Sequence, residues 1–124
     1  MPRKRKTPTY PTLNAKQAAF TAAVGQLLTA ATARGIQVIL AEAYRTPAQA
    51  ALYAKQGKGI KNSNHTKKLA VDLFVMTGGS VSWDNEHYEV LAKIWKNIHP
   101  LARWGGDFAG RDSVHFSFEH NGVR

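Results

Sequence analysis

Residues 68–76, KLAVDLFVM, constrain the fold more than any other stretch. The odd positions Leu69, Val71, Leu73 and Val75 are all apolar, and a strict period of two marks a β-strand with one face in a core. The other face holds Lys68, Ala70, Asp72, Phe74 and Met76. A carboxylate mid-strand beside a small alanine, where a purely structural strand would carry Thr or Val, leaves room for something against Asp72. The stretch SVHFSFE, 113–119, repeats the arrangement. Val114, Phe116 and Phe118 form an apolar face, while Ser113, His115, Ser117 and Glu119 share the other, so His115 emerges on a polar face.

Helical periodicity fills the rest of the chain. Asn14 is a candidate cap for a helix over 15–34, with Phe20, Val24, Leu27, Leu28 and Ala31 at helical spacing and Gly35 at its end. IQVILAEAY, 36–44, begins β-branched and apolar on both faces, which reads as a covered strand. Thr46-Pro47 then opens a second helix to about residue 56. Turn formers dominate GKGIKNSN, 57–64, and predict a surface loop. Asp84 can cap a third helix to Ile98, with Tyr88, Leu91, Ile94 and Trp95 as its apolar stripe and Pro100 beyond its end. The expected fold is α+β, a small antiparallel sheet flanked by about three helices.

A chain of 124 residues supports one core, and we expect a single catalytic domain over 13–124 behind a basic, flexible segment 1–12 that carries the run Arg3-Lys4-Arg5-Lys6. There is no cysteine, which excludes disulfides, thiolate metal sites and a thiol nucleophile and leaves any metal to His, Asp and Glu. Seventeen Lys and Arg against eight Asp and Glu give a formal charge of +9. That charge draws the protein towards polyanions without naming one: nucleic acid, anionic lipid and a carboxylate-rich envelope all qualify. The opening MPRKRKTPTYPTLN has no apolar run after its basic start, so it does not read as a secretory signal peptide. Neither apolar stretch, 18–31 or 69–76, is long or unbroken enough to span a bilayer.

His65 and Asp72 are separated by an odd offset, which would oppose them within one strand, so His65 must curl back from the preceding loop with its Gly57 and Gly59. Two His and one carboxylate, from a loop and two neighbouring strands, could then give a tetrahedral Zn²⁺ three ligands and leave the fourth position to water, the catalytic kind of site. Taken singly, each residue has an ordinary structural reading; their combination carries the signal.

These residues also resemble a family. SNHTKKLAVDLF is similar to the Ser-x-His-x6-Asp signature of the D-Ala-D-Ala carboxypeptidase and L-alanyl-D-glutamate endopeptidase family, which includes VanY-like enzymes and phage endolysins and shares its fold with hedgehog-type domains. Upstream, AYRTPAQAALYAKQGKGI resembles that family's Gly-Tyr-Arg-Ser/Thr segment. Downstream, RWGGDFAGRDSVHFSFE resembles its Trp-Gly-Gly and Asp-x-x-His-Phe segments. The resemblance implies one zinc ion on His65, Asp72 and His115, Asp112 as general base, and Arg45 as partner to the substrate or the developing oxyanion. It also implies Ser63 against the substrate; Tyr44 and Trp104 could line the cleft, although large aromatics default to core. Two positions depart from the family pattern: Lys68 and Ala43 stand where glycines are usual.

The function implied is hydrolysis of peptidoglycan stem peptides by a monomeric zinc peptidase, most closely a phage endolysin cutting L-Ala-D-Glu, with D-Ala-D-Ala carboxypeptidase as the alternative. Such a protein would be made in a host cytoplasm and act on the cell wall or periplasmic peptidoglycan, with no membrane insertion and no specific nucleic acid partner. Asp107 and Glu119 compete with Asp112 as base, whereas His87, His99 and His120 read as surface or helix residues. Two rivals remain: a basic nucleic-acid binder with incidental histidines, which predicts steep salt dependence and no need for zinc, and an inactive zinc-holding interaction domain, against which Asp112 and Arg45 argue.

Overall fold

The structure is a computed structural model that describes residues 7–60 and 62–124. Three helices, α1 (Leu13–Ala33), α2 (Pro47–Lys55) and α3 (Asn85–Ile98), accompany five strands: β1 (Gln37–Leu40), β2 (Ala70–Thr77), β3 (Ser80–Val81), β4 (Ala102–Trp104) and β5 (His115–Phe118). The sheet order is β1-β2-β5-β4, every pairing is antiparallel, and β3 folds back on β2. Gly78 and Gly79 make that turn at φ 55° and 82°, the left-handed pair that a two-residue hairpin requires. This is the expected α+β architecture.

The alternation in the two principal strands builds the core. Leu69, Val71, Leu73 and Val75 are buried with Phe116 and Phe118 beneath α1, through Phe20, Ala23, Leu27 and Ala31, and α3, through Tyr88, Leu91, Ala92 and Trp95. Trp95 and Phe118 stack with centroids 5.7 Å apart, and Phe20 meets both rings edge-on. The register then sets Asp72 directly opposite His115 on the uncovered face.

Several expectations need correction. The cap of α1 is Thr12 and not Asn14: its hydroxyl accepts from Ala15 N at 3.1 Å, and the helix begins before Asn14. β1 is a short edge strand and not a covered one over 36–44, with Ile39 and Leu40 exposed to 42% and 59%. An apolar run cannot distinguish an edge from a centre, since that depends on which neighbours the sheet supplies. β3 and β4 were not foreseen, being too short to show a period. Residues 1–6, with the basic run, lie outside the described residues. Within residues 7–12, mostly exposed, Tyr10 packs against the core: its hydroxyl lies 2.7 Å from His99 Nε2, and His99 stacks on Phe118.

Candidate metal centre

His65 sits on a 3-10 turn, Asn64–Lys67, that the sequence reading took for plain loop. The Ser63 hydroxyl accepts from His65 N at 3.3 Å. The buried Asn64 amide donates to the carbonyls of Phe118 and Val123 at 2.8 Å each, which ties the turn to the end of β5. His65 Nδ1 lies 2.9 Å from the Ala43 carbonyl. A carbonyl only accepts, so Nδ1 carries a proton and Nε2 is the ring atom available to a second proton or to a metal ion. Nε2 lies 3.2 Å from Asp72 Oδ1. Across the sheet His115 Nδ1 is 3.7 Å from the same oxygen.

Ring nitrogens this close to a carboxylate need positive charge between them, a proton in the metal-free protein or a metal ion in its place. Asp72 Oδ1 and His115 Nε2 are buried and lack a well-aligned hydrogen bond among the described residues. The three side chains each offer one ligand atom, all within 4.8 Å of one another. Zinc bonds to nitrogen and oxygen of about 2.0–2.2 Å imply ligand separations of roughly 3.3 Å in a tetrahedron, close to the 3.2 and 3.7 Å seen here. The donor set therefore fits a zinc ion.

The electrostatics agree. Burial alone would raise the Asp72 carboxyl, but hydrogen bonding and charge from His115 and His65 outweigh it and hold the group at about 2. Burial alone would likewise lower His65, and Asp72 reverses that, so its pKa ends above the ordinary value. In metal-free protein the raised His65 stabilises the fold at pH below the normal imidazole range, and that contribution is lost as pH rises through the folded pKa. Metal-stripped protein should accordingly melt at a lower temperature at pH 8 than at pH 6. Zinc should reverse the order, because metal binding needs deprotonated ligands. Thermal melts at both pH values, with chelator and with zinc, check both signs.

Beside this centre lies a cleft of about 280 Å³ whose walls include Arg45, Lys58, Ser63, His65, Asp112 and His115. Arg45, Ser63 and Asp112, placed near the substrate only through the family resemblance, thus gather in one hollow with both histidines. Asp112 reaches this position through Gly105, whose carbonyl accepts from Asp112 N at 2.9 Å. A Cβ on Gly105 would lie 2.1 Å from the Asp112 carbonyl oxygen, so only glycine fits there. Asp112 keeps an open side to solvent. Even so, crowding by the cleft walls and then the charge of Asp72 raise its carboxyl above the usual range, against the opposing pull of His115, His65 and Arg45.

The competing acids are engaged elsewhere: Asp107 pairs with Lys96 and Glu119 with Arg103. Tyr44 is half exposed and not among the cleft-lining residues, and Trp104 is buried, its indole donating to the Ser113 carbonyl at 2.7 Å. His87, His99 and His120 bond to Ser82, Tyr10 and Lys16 respectively. Glu42 escaped the sequence reading. Its carboxylate accepts from Arg45 Nε at 2.8 Å and pairs again with Nη2, and it lies 3.8 Å from His65 Nδ1. An acid three residues before Arg45 on a turning chain was the only available signal.

Lys68 explains its own departure from the family pattern. It caps the 3-10 turn at φ 55° and ψ 38°, the left-handed region where glycine is unstrained. Its ammonium lies over the Tyr44 ring at 5.3 Å. Its requirement is conformational, so Lys68→Gly should change stability by less than about 0.5 kcal/mol and leave metal content intact. Lys68→Val should cost about 1–2 kcal/mol, because a β-branched residue tolerates this region poorly. Denaturant titration of the two variants tests the contrast.

A family model described as D-alanyl-D-alanine carboxypeptidase matches residues 56–118, half of the chain, with His65, Asp72, Asp112 and His115 all inside the match. The chain belongs to this family. By family it is a peptidoglycan peptidase, and its fold agrees. The L-Ala D-Glu endopeptidase ChiX of Serratia marcescens superposes with a TM-score of 0.71 at 21% identity, over 82% of this chain and 79% of that one. The D,D-pentapeptidase VanY of a VanB-type vancomycin-resistance cassette, solved as a mutant with Zn(II), gives 0.57 at 22% identity, over 81% and 70%. A search of curated protein sequences gives no significant match.

Proposed function

We propose that this carboxypeptidase-family chain is a zinc metallopeptidase of endolysin type that hydrolyses the L-Ala-D-Glu bond of peptidoglycan stem peptides, held by His65, Asp72 and His115 to one ion with water as its fourth ligand. The observation that carries the reading is Nε2 of His65 turned on Asp72 across from His115, with both histidines, Asp112 and Arg45 lining one cleft. Zinc bound there would supply a Lewis acid and lower the pKa of a bound water to near neutrality. Asp112 accepts the proton of the attacking water and returns it to the leaving amine. Its raised pKa favours the second half of that task. Arg45, held by Glu42, donates to the carbonyl oxygen as negative charge builds on it. Ser63, buried in the cleft wall, faces the substrate backbone, while Tyr44, half exposed and outside the lining, keeps its proposed substrate contact only through the family resemblance.

The substrate reading draws on the ChiX endopeptidase likeness, and the family description supports the D-Ala-D-Ala carboxypeptidase alternative. An inactive zinc domain would have no use for an acid and an arginine gathered beside the metal ligands. No helix among the described residues is long and apolar enough to cross a membrane, which suits an enzyme working in the wall mesh as a monomer.

Digestion of purified peptidoglycan, with zinc-loaded and chelated protein in parallel, tests the reading. Mass spectrometry should find new D-Glu amino termini with zinc only. Released D-Ala instead would favour the carboxypeptidase, and intact wall beside zinc-replete protein would sink the peptidase assignment.

A further inference from the structure

The two bonds that compete as substrate share a chemical feature. In a γ-linked D-Glu and in a terminal D-Ala alike, the carbon bearing the scissile nitrogen also bears a free α-carboxylate. A site cutting either bond must place an anion within a few ångströms of the leaving amine. The cleft wall carries three cations, Arg45, Lys58 and Arg124. Arg45 is neutralised by Glu42, with Tyr53 packed under its guanidinium at 5.0 Å. Lys58 and Arg124 have no acidic partner among the described residues. Arg124 lies over the Phe108 ring at 4.7 Å, and Phe108 in turn packs on His115 with ring centroids 5.6 Å apart, one ring away from the metal ligands.

Lys58 and Arg124 come from separate segments, the loop after α2 and the stretch after β5, yet both line the hollow that contains Asp112. Both are solvent-exposed, and two cations without an acidic side-chain partner on one concave wall focus positive potential there. Asp112, the acid in that wall, is committed to proton transfer and cannot serve as their counter-ion. We infer that Lys58 and Arg124 form a carboxylate subsite that reads the free α-carboxylate on the leaving-amine residue, so that the enzyme rejects stem peptides in which this group is amidated. The inference rests on the peptidase reading above.

The test compares two pairs of synthetic peptides with zinc-loaded protein: L-Ala-γ-D-Glu-L-Lys against its D-isoglutamine form, and a stem peptide ending in D-Ala-D-Ala against its terminal amide. Whichever pair is cut, the free acid should be favoured at least about tenfold in kcat/KM, the size expected for losing one charge-assisted contact. In Lys58→Ala/Arg124→Ala the ratio should fall to about twofold or less, and Lys58→Arg should retain it. A wild-type ratio near one, or an undiminished ratio in the double variant, overturns the subsite. Zinc content and thermal melts identify a misfolded double variant, in which case the ratio is read from Lys58→Glu, where it should drop below the wild-type value or invert.

Failure of the peptidase reading would show differently, as no cleavage of either pair. Calorimetric binding of N-acetyl-D-glutamate γ-amide to zinc-loaded protein then decides: binding lost in the double variant supports the subsite, and no binding, or equal binding, overturns it.

Discussion

Asp72→Ala should lose metal and activity together while the fold survives. The side chain meets His65 and His115 and takes no part in the hydrophobic core. The main chain of Asp72 keeps its bonds, with its N–H donating to the Glu42 carbonyl at 2.7 Å and its carbonyl accepting from Ala41 N at 2.9 Å. Removing the carboxylate leaves two imidazoles, one short of the three protein ligands that a catalytic zinc site uses beside its open position. Losing the Lewis acid forfeits several kcal/mol of charge stabilisation, so turnover should fall at least about a thousandfold. Metal analysis of the dialysed variant, beside its rate on peptidoglycan, reads both effects. One equivalent of zinc retained with normal turnover would remove Asp72 from the centre.

Asp112→Asn should separate the two losses. The amide is nearly isosteric, and Gly105 still receives the backbone hydrogen bond that shapes this loop, so zinc should stay. The amide cannot take a proton, and general base catalysis is commonly worth about 10²–10⁴ in rate. A drop of that size with full zinc content identifies the base. Asp107→Asn and Glu119→Gln, whose partners are Lys96 and Arg103, should change the rate by less than about threefold, since exposed ion pairs matter little. A large loss in either, with Asp112→Asn active, would move the base to that residue.

How far the chain could be read from its residues varied with the kind of signal. The faces of β2 and β5 were legible because period two allows only one assignment once one set of positions is apolar; the register that sets Asp72 opposite His115 is a property of the folded sheet. The helices α2 and α3 were legible from their caps, Thr46 and Asp84, both of which cap as expected. The position of His65 was legible only as a necessity, since the loop had to curl back; the 3-10 turn that does it depends on Asn64 reaching β5, a contact between distant residues that leaves no local pattern. Glu42, Phe108 and Arg124 were missed for the same reason. Each gains meaning from a neighbour across the cleft, and none stands at a repeating interval. Asp112 and Arg45 were reached through family resemblance alone, and the structure brings both to the same hollow.

Segment 41–45 braces the centre from the side where the sheet is weakest. Ala41 and Glu42 grip the backbone of Asp72, Ala43 orients the His65 ring, and Arg45 N–H holds the His65 carbonyl at 3.1 Å. This brace continues from β1, a four-residue outer strand with one hydrogen-bonded neighbour. Sheet edges open at far lower free energy than cores. On warming, fraying that starts at β1 should therefore reach His65, Asp72 and Arg45 while Trp95, Phe116 and Phe118 are still packed. Activity should then be lost on heating before the core melts, because the outer strand braces the one and not the other.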